Sequence, residues 1–348
     1  MFSFFKFPRG KTLSPHRFFP AKLGLARAIA MHAVVLGVAV TQLALLSTPA
    51  DSADPVRSIE PVEATRPDGI PADYVSTPFG FASPRCIHLL DKKDTLLANG
   101  SVRKSNGTVR SVSRCTSPRY LSDGTVASSA NPPVPQGSIW QMGVQVKSQN
   151  ADPYAAQGLN FTVPAAPLDK NGPSLYFLVS LGVTNSNTII ASVLGWNQKI
   201  NNVIRGAGTW TAAGWAIRPD GSLYVVPYSN SISPGDNINL QVAKQGAGLW
   251  QAIINNVFLL NSQLPDDTSK LTGYGVVFAL DGTVSSCARQ IPISNIKFRY
   301  TITLPPSILT PQYWVRRTPI GPGGCINYNI TTSQISPIDY SITMNIKK

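Results

Sequence analysis

The sequence is poor in the residues from which most catalytic sites are built. Its 348 residues include only two glutamates, Glu60 and Glu63, and three histidines, of which His88 alone lies beyond residue 50. A retaining glycosidase needs two carboxylates about 5 Å apart, and an inverting one a wider pair. Both glutamates sit in a proline-rich stretch, so a hydrolase would have to use aspartates such as Asp236 and Asp281. A Ser-His-Asp or Cys-His nucleophile system would depend on His88, which stands two residues from Cys86 and reads as structural packing. The same scarcity argues against a multi-histidine metal site, and neither a metal nor another cofactor is expected. The four cysteines form no Cys-x-x-Cys pair, which excludes thioredoxin-like and zinc-ribbon motifs. Gly206-Ala-Gly208 and Gly246-Ala-Gly248 read as turns with no helix behind them, so no phosphate loop is indicated.

Charge is also scarce. Charged residues are 14% of the chain, where about a quarter is usual in soluble domains. The formal charge of +13 is concentrated at the front: residues 1–50 carry Lys6, Arg9, Lys11, Arg17, Lys22 and Arg27 and no acid. Setting those 6 aside leaves 24 basic against 17 acidic residues, a scattered +7 with no dense basic patch. No nucleic-acid partner is expected. No stretch carries the period of a long amphipathic helix.

Behind the basic region, Ala33-Val-Val-Leu-Gly-Val-Ala-Val-Thr-Gln-Leu-Ala-Leu-Leu46 is an apolar core, followed by the small residues of Ser47-Thr-Pro-Ala50. Residues 1–50 read as a signal peptide cleaved after Ala50 or Ala53, with Met31 as an alternative start. The other reading is an uncleaved N-terminal anchor, the one case in which a membrane is a partner. Export makes the even cysteine count a disulfide set. Three connectivities exist for Cys86, Cys115, Cys287 and Cys325. Cys86–Cys115 with Cys287–Cys325 is favoured because each closes a local loop. Asn99, Asn106, Asn160 and Asn329 begin glycosylation tripeptides. The expected location is extracellular.

Residues 51–75, with Pro55, Pro61, Pro67 and Pro71, read as a disordered linker or propeptide. Residues 76–116 read as a small hairpin module, with Asn-Gly turns at Asn99-Gly100 and Asn106-Gly107. A Ser/Pro-rich connector then leads to the main domain at 137–304. There, short β-branched and aromatic runs are closed by Gly, Pro, Asn or Asp. Examples are Ile139–Val146, Gly158–Pro164, Leu175–Leu181, Thr188–Trp196, Gly208–Ile217 and Ser222–Pro227. About ten such strands predict an all-β sandwich or jelly roll. Residues 305–348 read as an extension packing on it.

Several of these motifs resemble a known group. Thr77-Pro-Phe-Gly80, the Cys-x-His at Cys86–His88 and the Asn-Gly step resemble the front module of secreted proteins that carry a concanavalin A-like lectin/glucanase sandwich. Phe161-Thr-Val-Pro-Ala-Ala-Pro167, Val193-Leu-Gly-Trp196, the Trp-x-x-x-x-Trp of Trp210 and Trp215, and Ser233-Pro-Gly-Asp236 look like that sandwich. The likeness spans roughly residues 77–300. It implies a concanavalin A-like fold, distantly similar to the glutamic peptidases (eqolisins). Those enzymes work with one Gln and one Glu. Here Thr188-Ile-Ile-Ala191 places Ala191 where the Gln would stand, and Asp281 in Ala279-Leu-Asp-Gly282 is the nearest replacement for the Glu. The Glu-x-Asp-x-x-Glu motif of the superfamily's glucanases is absent.

Aromatics are what the main domain has in quantity. Trp196, Trp210, Trp215, Trp250, Tyr224 and Tyr228 fall in its central strands, and Asn197 and Gln198 follow Trp196 directly. Sugar rings stack on flat aromatic faces while amides take their hydroxyls. The same tryptophans also suit a sandwich core. The expected function is a secreted, non-catalytic binding protein for a glycan or another extracellular polymer. Trp196, Asn197, Gln198, Trp210, Trp215 and Tyr224 are its candidate contacts. The alternatives are a divergent eqolisin-like acid peptidase or other hydrolase using Asp281 or Asp236, and a structural surface protein.

Overall fold

The computed structural model describes residues 67–121, 124–127, 140–147, 156–168, 174–183, 186–200, 204–206, 208–264, 271–281, 296–303, 327–336 and 339–347. The expected export segment, most of the linker, Cys287 and Cys325 lie outside the described residues. The described residues all belong to the compact unit Ser58–Lys348.

The strands in chain order are β1 (Val75–Thr77), β2 (Gly80–Ala82), β3 (Ile87–Leu89), β4 (Thr95–Leu96), β5 (Val102–Arg103), β6 (Val109–Arg110), β7 (Trp140–Lys147), β8 (Ala156–Thr162), β9 (Ser174–Val183), β10 (Ile189–Trp196) and β11 (Lys199–Ile200). They continue with β12 (Ile204–Arg205), β13 (Trp210–Ile217), β14 (Leu223–Pro227), β15 (Asn237–Gly246), β16 (Leu249–Ile254), β17 (Val257–Gln263), β18 (Leu271–Asp281), β19 (Ile296–Thr303), β20 (Asn327–Ser336) and β21 (Asp339–Lys347). Seven pair in the order β3-β14-β13-β10-β9-β18-β7 and ten in the order β20-β21-β19-β8-β15-β16-β17-β4-β5-β6. The protein is an all-β sandwich, as its short turn-bounded runs predict.

Alternation along the strands builds the layer between the sheets. Leu175, Phe177, Val179 and Leu181 of β9 point into it with Ile190, Leu194 and Trp196 of β10; Leu240, Val242, Trp250 and Ile254 meet them from the other sheet. Each fully buried aliphatic or aromatic side chain stabilises the fold by about 1.5–3 kcal/mol. The sheets approach closely where β13 has no side chain. A Cβ on Gly214 would lie 3.2 Å from the Cβ atoms of Ala252, Leu259 and Leu260.

Ser192 fixes the sheets in register. It lies on the inward face of β10, and its hydroxyl donates to the Gln241 carbonyl (2.7 Å) and accepts from the Ile253 N–H (3.1 Å). That N–H sits where the β16–β17 register shifts between Ala252 and Ile253. The hydroxyl thus satisfies a main-chain group beside the irregularity. Ser192→Ala leaves both partners buried without this bond, and a loss of about 1–3 kcal/mol is expected in urea denaturation.

The far face of the seven-stranded sheet is covered too. Tyr176, Leu178, Ala191, Val193, Ala213 and Trp215 form a second buried cluster with Phe79 and Ala82. Phe79 meets Trp215 edge-on at 6.1 Å. The Thr77 hydroxyl shapes the β1–β2 turn by donating to the Gly80 carbonyl (2.7 Å) and accepting from the Phe79 N–H (3.2 Å). Gly80 has φ of +99°, and a Cβ there would sit 2.2 Å from the Tyr120 carbonyl oxygen. Behind the turn, buried Arg119 donates to the Phe79 carbonyl and to Asn187 Oδ1. Burial pushes its guanidinium down to about 10. With both faces covered, β9 and β10 read as continuous apolar runs rather than alternating ones.

The segment 76–116, expected as a module in front of the sandwich, is paired into both sheets. β3 runs parallel to β14, matching His88 with Tyr224. β4 runs parallel to β17, matching Leu96 with Ser262. The expected Cys86–Cys115 disulfide is present, with Cα atoms 5.0 Å apart. The Cys115 N–H donates to the Ser222 hydroxyl at 3.1 Å, holding that strand of chain against the β13–β14 turn.

The expected Asn-Gly hairpins form, without Asn99 or Asn106 taking the left-handed conformation. Only the glycines are left-handed, with φ of 87° at both Gly100 and Gly107. Gly100 N–H donates to the Leu97 carbonyl, and Leu97 N–H to Ser101. This is a type I turn closed by a glycine bulge, in which Asn99 Oδ1 accepts the Ser101 N–H. Arg218–Ser222 repeats the same main-chain bonds. The left-handed pair is instead Asn255-Asn256, with φ of 49° and 62°, joining β16 to β17. β20 and β21 extend the ten-stranded sheet beyond β19.

Candidate binding face

The aromatic residues expected to stack on a ligand are core residues. Trp196 and Trp210 are 2% and 3% exposed, with ring centroids 5.4 Å apart edge-on, and Phe177 lies 5.8 Å from Trp210. Trp215 lies on the other face of the same sheet, closed over by Phe79. Tyr224 points between the sheets and donates its hydroxyl to the Gly100 carbonyl at 3.3 Å. None of these rings has a face open to a sugar. The reason is alternation: even positions of β10, β13 and β14 face the other sheet, and odd positions lie under the β1–β2 turn.

The adjoining amides are equally committed. Asn197 is left-handed, with φ of 53°; its Oδ1 accepts the Gly208 N–H at 2.6 Å and its carbonyl accepts the Ser174 hydroxyl. Gln198 is buried and folds back over Gly195, where a Cβ would lie 2.9 Å from its Oε1. Asn197 and Gln198 therefore shape the chain leaving β10, and offer no hydroxyl-binding edge.

The hydrolase candidates belong to different sheets. Asp236 is exposed at the start of β15, where its Oδ2 accepts the Ser233 N–H at 2.8 Å and caps its own turn. Asp281 ends β18 in the other sheet, opposite Ser174. His88 packs its ring 5.2 Å from Tyr224. Burial holds its pKa below 6.5; Asp220 opposes that shift and Arg110 adds to it. A histidine that resists protonation when folded loses stability as the pH falls, because the unfolded chain takes up the proton first. Unfolding stability is therefore expected to decline as the pH drops below about 6.5, and less so in His88→Gln, measured by urea midpoints at several pH values. Among the described residues there is no cluster of His, Cys, Asp or Glu able to hold a metal.

An exposed aromatic ring and amide side chains occur instead on the outward face of the ten-stranded sheet. Residues opposite one another in a ladder lie side by side on one face. One row runs Arg299–Asn160–Asn239 across β19, β8 and β15. The next runs Gln241–Ile253–Phe258 across β15, β16 and β17. A third runs Gln251–Asn261–Thr95–Arg103 across β16, β17, β4 and β5. Gln251 Nε2 donates to Asn261 Oδ1 at 2.7 Å, which links the two amides across β16 and β17, and Gln251 Oε1 is buried. Phe258 is 52% exposed among them. From β19 to β5 the face crosses seven strands, roughly 29 Å at the usual strand spacing. The outward positions of β8, β16 and β17 carry no charge.

Phe258 and its neighbouring amides were not singled out in the sequence. The signal present was the pair Asn255-Asn256, a two-residue hairpin turn that makes Val257–Gln263 a strand with its own outward face. Of the glycosylation tripeptides, Asn99, Asn106 and Asn160 are exposed, and Asn329 lies on β20 opposite Asn345.

No family model and no curated protein sequence matches the chain. Among solved structures, scytalido-glutamic peptidase with a peptide-based transition-state analogue aligns at 11% identity and TM-score 0.38, over 61% of this chain and 100% of its own. SCP-B, a member of the eqolisin family of peptidases, in complex with the tripeptide Ala-Ile-His, aligns at 11% and 0.36, with the same coverage. A toad ovary galectin in complex with thio-digalactose aligns at 13% and 0.26, over 39% of this chain and 94% of its own. The sandwich assignment rests on the strand pairings above.

Proposed function

We propose that this chain is an extracellular, non-catalytic binding protein for a neutral glycan, and that the glycan lies across the outward face of the ten-stranded sheet. The observation that carries the reading is Phe258. A large apolar ring is left half in water on a strand face, with Ile253 and then Gln241 along its own row and the linked pair Gln251–Asn261 in the next. An aromatic surface for the apolar face of a sugar, with planar amides beside it for the hydroxyls, is the recurrent composition of carbohydrate sites. The uncharged central strands favour a neutral polymer over an anionic one. The apolar segment behind a basic region, the Cys86–Cys115 disulfide and the exposed asparagines of three tripeptides support an extracellular location.

A glycan array probed with the full-length protein tests the reading. Binding to neutral oligosaccharides at moderate salt is expected. No binding across a broad array would overturn it. Cleavage of a denatured protein at acid pH, lost in Asp281→Asn, would favour a hydrolase instead.

A further inference from the structure

A second feature lies at one end of the interior, away from the outward face. Arg218 follows β13 and continues its inward-facing series after Ala212, Gly214 and Ala216. It is 4% exposed. Its Nη1 donates to the Gln263 carbonyl in the other sheet at 3.1 Å. Its Nε and Nη2 are buried and have no hydrogen-bond partner. These two atoms form one edge of the guanidinium, the edge that presents two parallel N–H groups to a carboxylate, phosphate or sulfate.

A second unpaired nitrogen is buried near Tyr224. His88 Nε2 is likewise buried without a partner, and its ring stacks at 5.2 Å on Tyr224. Tyr224 uses its hydroxyl proton on the Gly100 carbonyl. Asp220, whose charge acts on Arg218, His88 and Tyr224, forms no ion pair and accepts the Ser222 N–H with Oδ1. Among the described residues the ion pairs are those of Lys104 with Asp91 and Asp94. Arg110, exposed on β6, adds positive potential at His88 and Tyr224. A buried cation with an empty two-pronged edge is costly unless something accepts those protons.

We propose that the Nε–Nη2 edge of Arg218 is an oxyanion site at this end of the sandwich. The ligand class is a small oxyanion such as sulfate or phosphate, gripped by two parallel hydrogen bonds. The site is separate from the glycan face, so either proposal can fail without the other.

The test is thermal unfolding of the full-length protein in sodium sulfate and sodium phosphate, against sodium chloride at matched ionic strength. A saturable rise in Tm of roughly 2–4 °C is expected with the oxyanions and not with chloride. Arg218→Lys keeps the charge but lacks the paired edge, and is expected to lose the oxyanion-specific rise. Calorimetric titration of the unmutated protein with sulfate gives a readout that needs no variant, and saturable binding near one per chain is expected. Three results would overturn the proposal: equal Tm in oxyanion and chloride, an undiminished rise in Arg218→Lys, or no saturable sulfate binding.

Discussion

Trp215→Ala is expected to destabilise the protein by about 3–5 kcal/mol, the range for removing a buried tryptophan. The indole is 0% exposed and bears on Phe79 across the far face of the seven-stranded sheet. The loss has two parts. The transfer energy of the indole is forfeited, and a cavity opens under the β1–β2 turn. That turn cannot easily collapse into it, because Gly80 is pressed against the Tyr120 carbonyl and Arg119 holds the Phe79 carbonyl. Urea unfolding followed by fluorescence of the remaining tryptophans checks the size. A stacking residue on a binding surface would behave differently, unfolding near the unmutated midpoint while losing ligand. A change under 1 kcal/mol would therefore place Trp215 at a surface and contradict its role here.

The second large effect concerns Cys86–Cys115. The bridge closes a loop of 29 residues, and the chain-entropy relation assigns such a loop about 3–4 kcal/mol. The loop contains β3, β4, β5 and β6, two-residue or three-residue strands that extend both sheets. Strands so short do not hold register by themselves. In Cys86→Ser/Cys115→Ser the sandwich core is expected to persist. The loop should become protease-sensitive, with the first cuts near Asn99-Gly100 and Asn106-Gly107. Limited proteolysis with and without the bridge checks this. Identical cleavage rates would mean that strand pairing alone secures the segment.

The fold class was legible because each run is short, rich in β-branched and aromatic residues, and ended by a turn former. β9 and β10 were the clearest, since burial on both faces leaves only Ser180 and Ser192 to interrupt their apolar runs. Val257–Gln263 was missed. Its outward residues Phe258, Asn261 and Gln263 are interleaved with buried Leu259, Leu260 and Ser262, and the bulge between Ala252 and Ile253 disrupts simple alternation. The residues expected to bind ligand lie on or beside β10, β13 and β14 of the seven-stranded sheet, whose two faces are both covered, and not on the sheet that has an outward face. Period-two alternation shows that two faces exist and does not show which is covered. The covering element for Trp215, the turn at Thr77–Gly80, is more than 130 positions away in the chain, so no local pattern announces it. The disulfide was legible from spacing. The parallel pairing of β3 with β14 and β4 with β17 was not, because parallel neighbours are set by tertiary contacts rather than by a turn.

We place ligand binding on the outward face of the ten-stranded sheet and not at the buried tryptophans. The most direct measurement is affinity electrophoresis of Phe258→Ala beside the unmutated protein, in gels containing the neutral polysaccharide that the array selects. Phe258 is half exposed, so the substitution should leave the urea midpoint within about 0.5 kcal/mol of the original. Retardation by the polysaccharide is expected to fall at least about tenfold, the loss of one sugar-stacking ring. Unchanged retardation in Phe258→Ala, with the fold intact, would contradict the account.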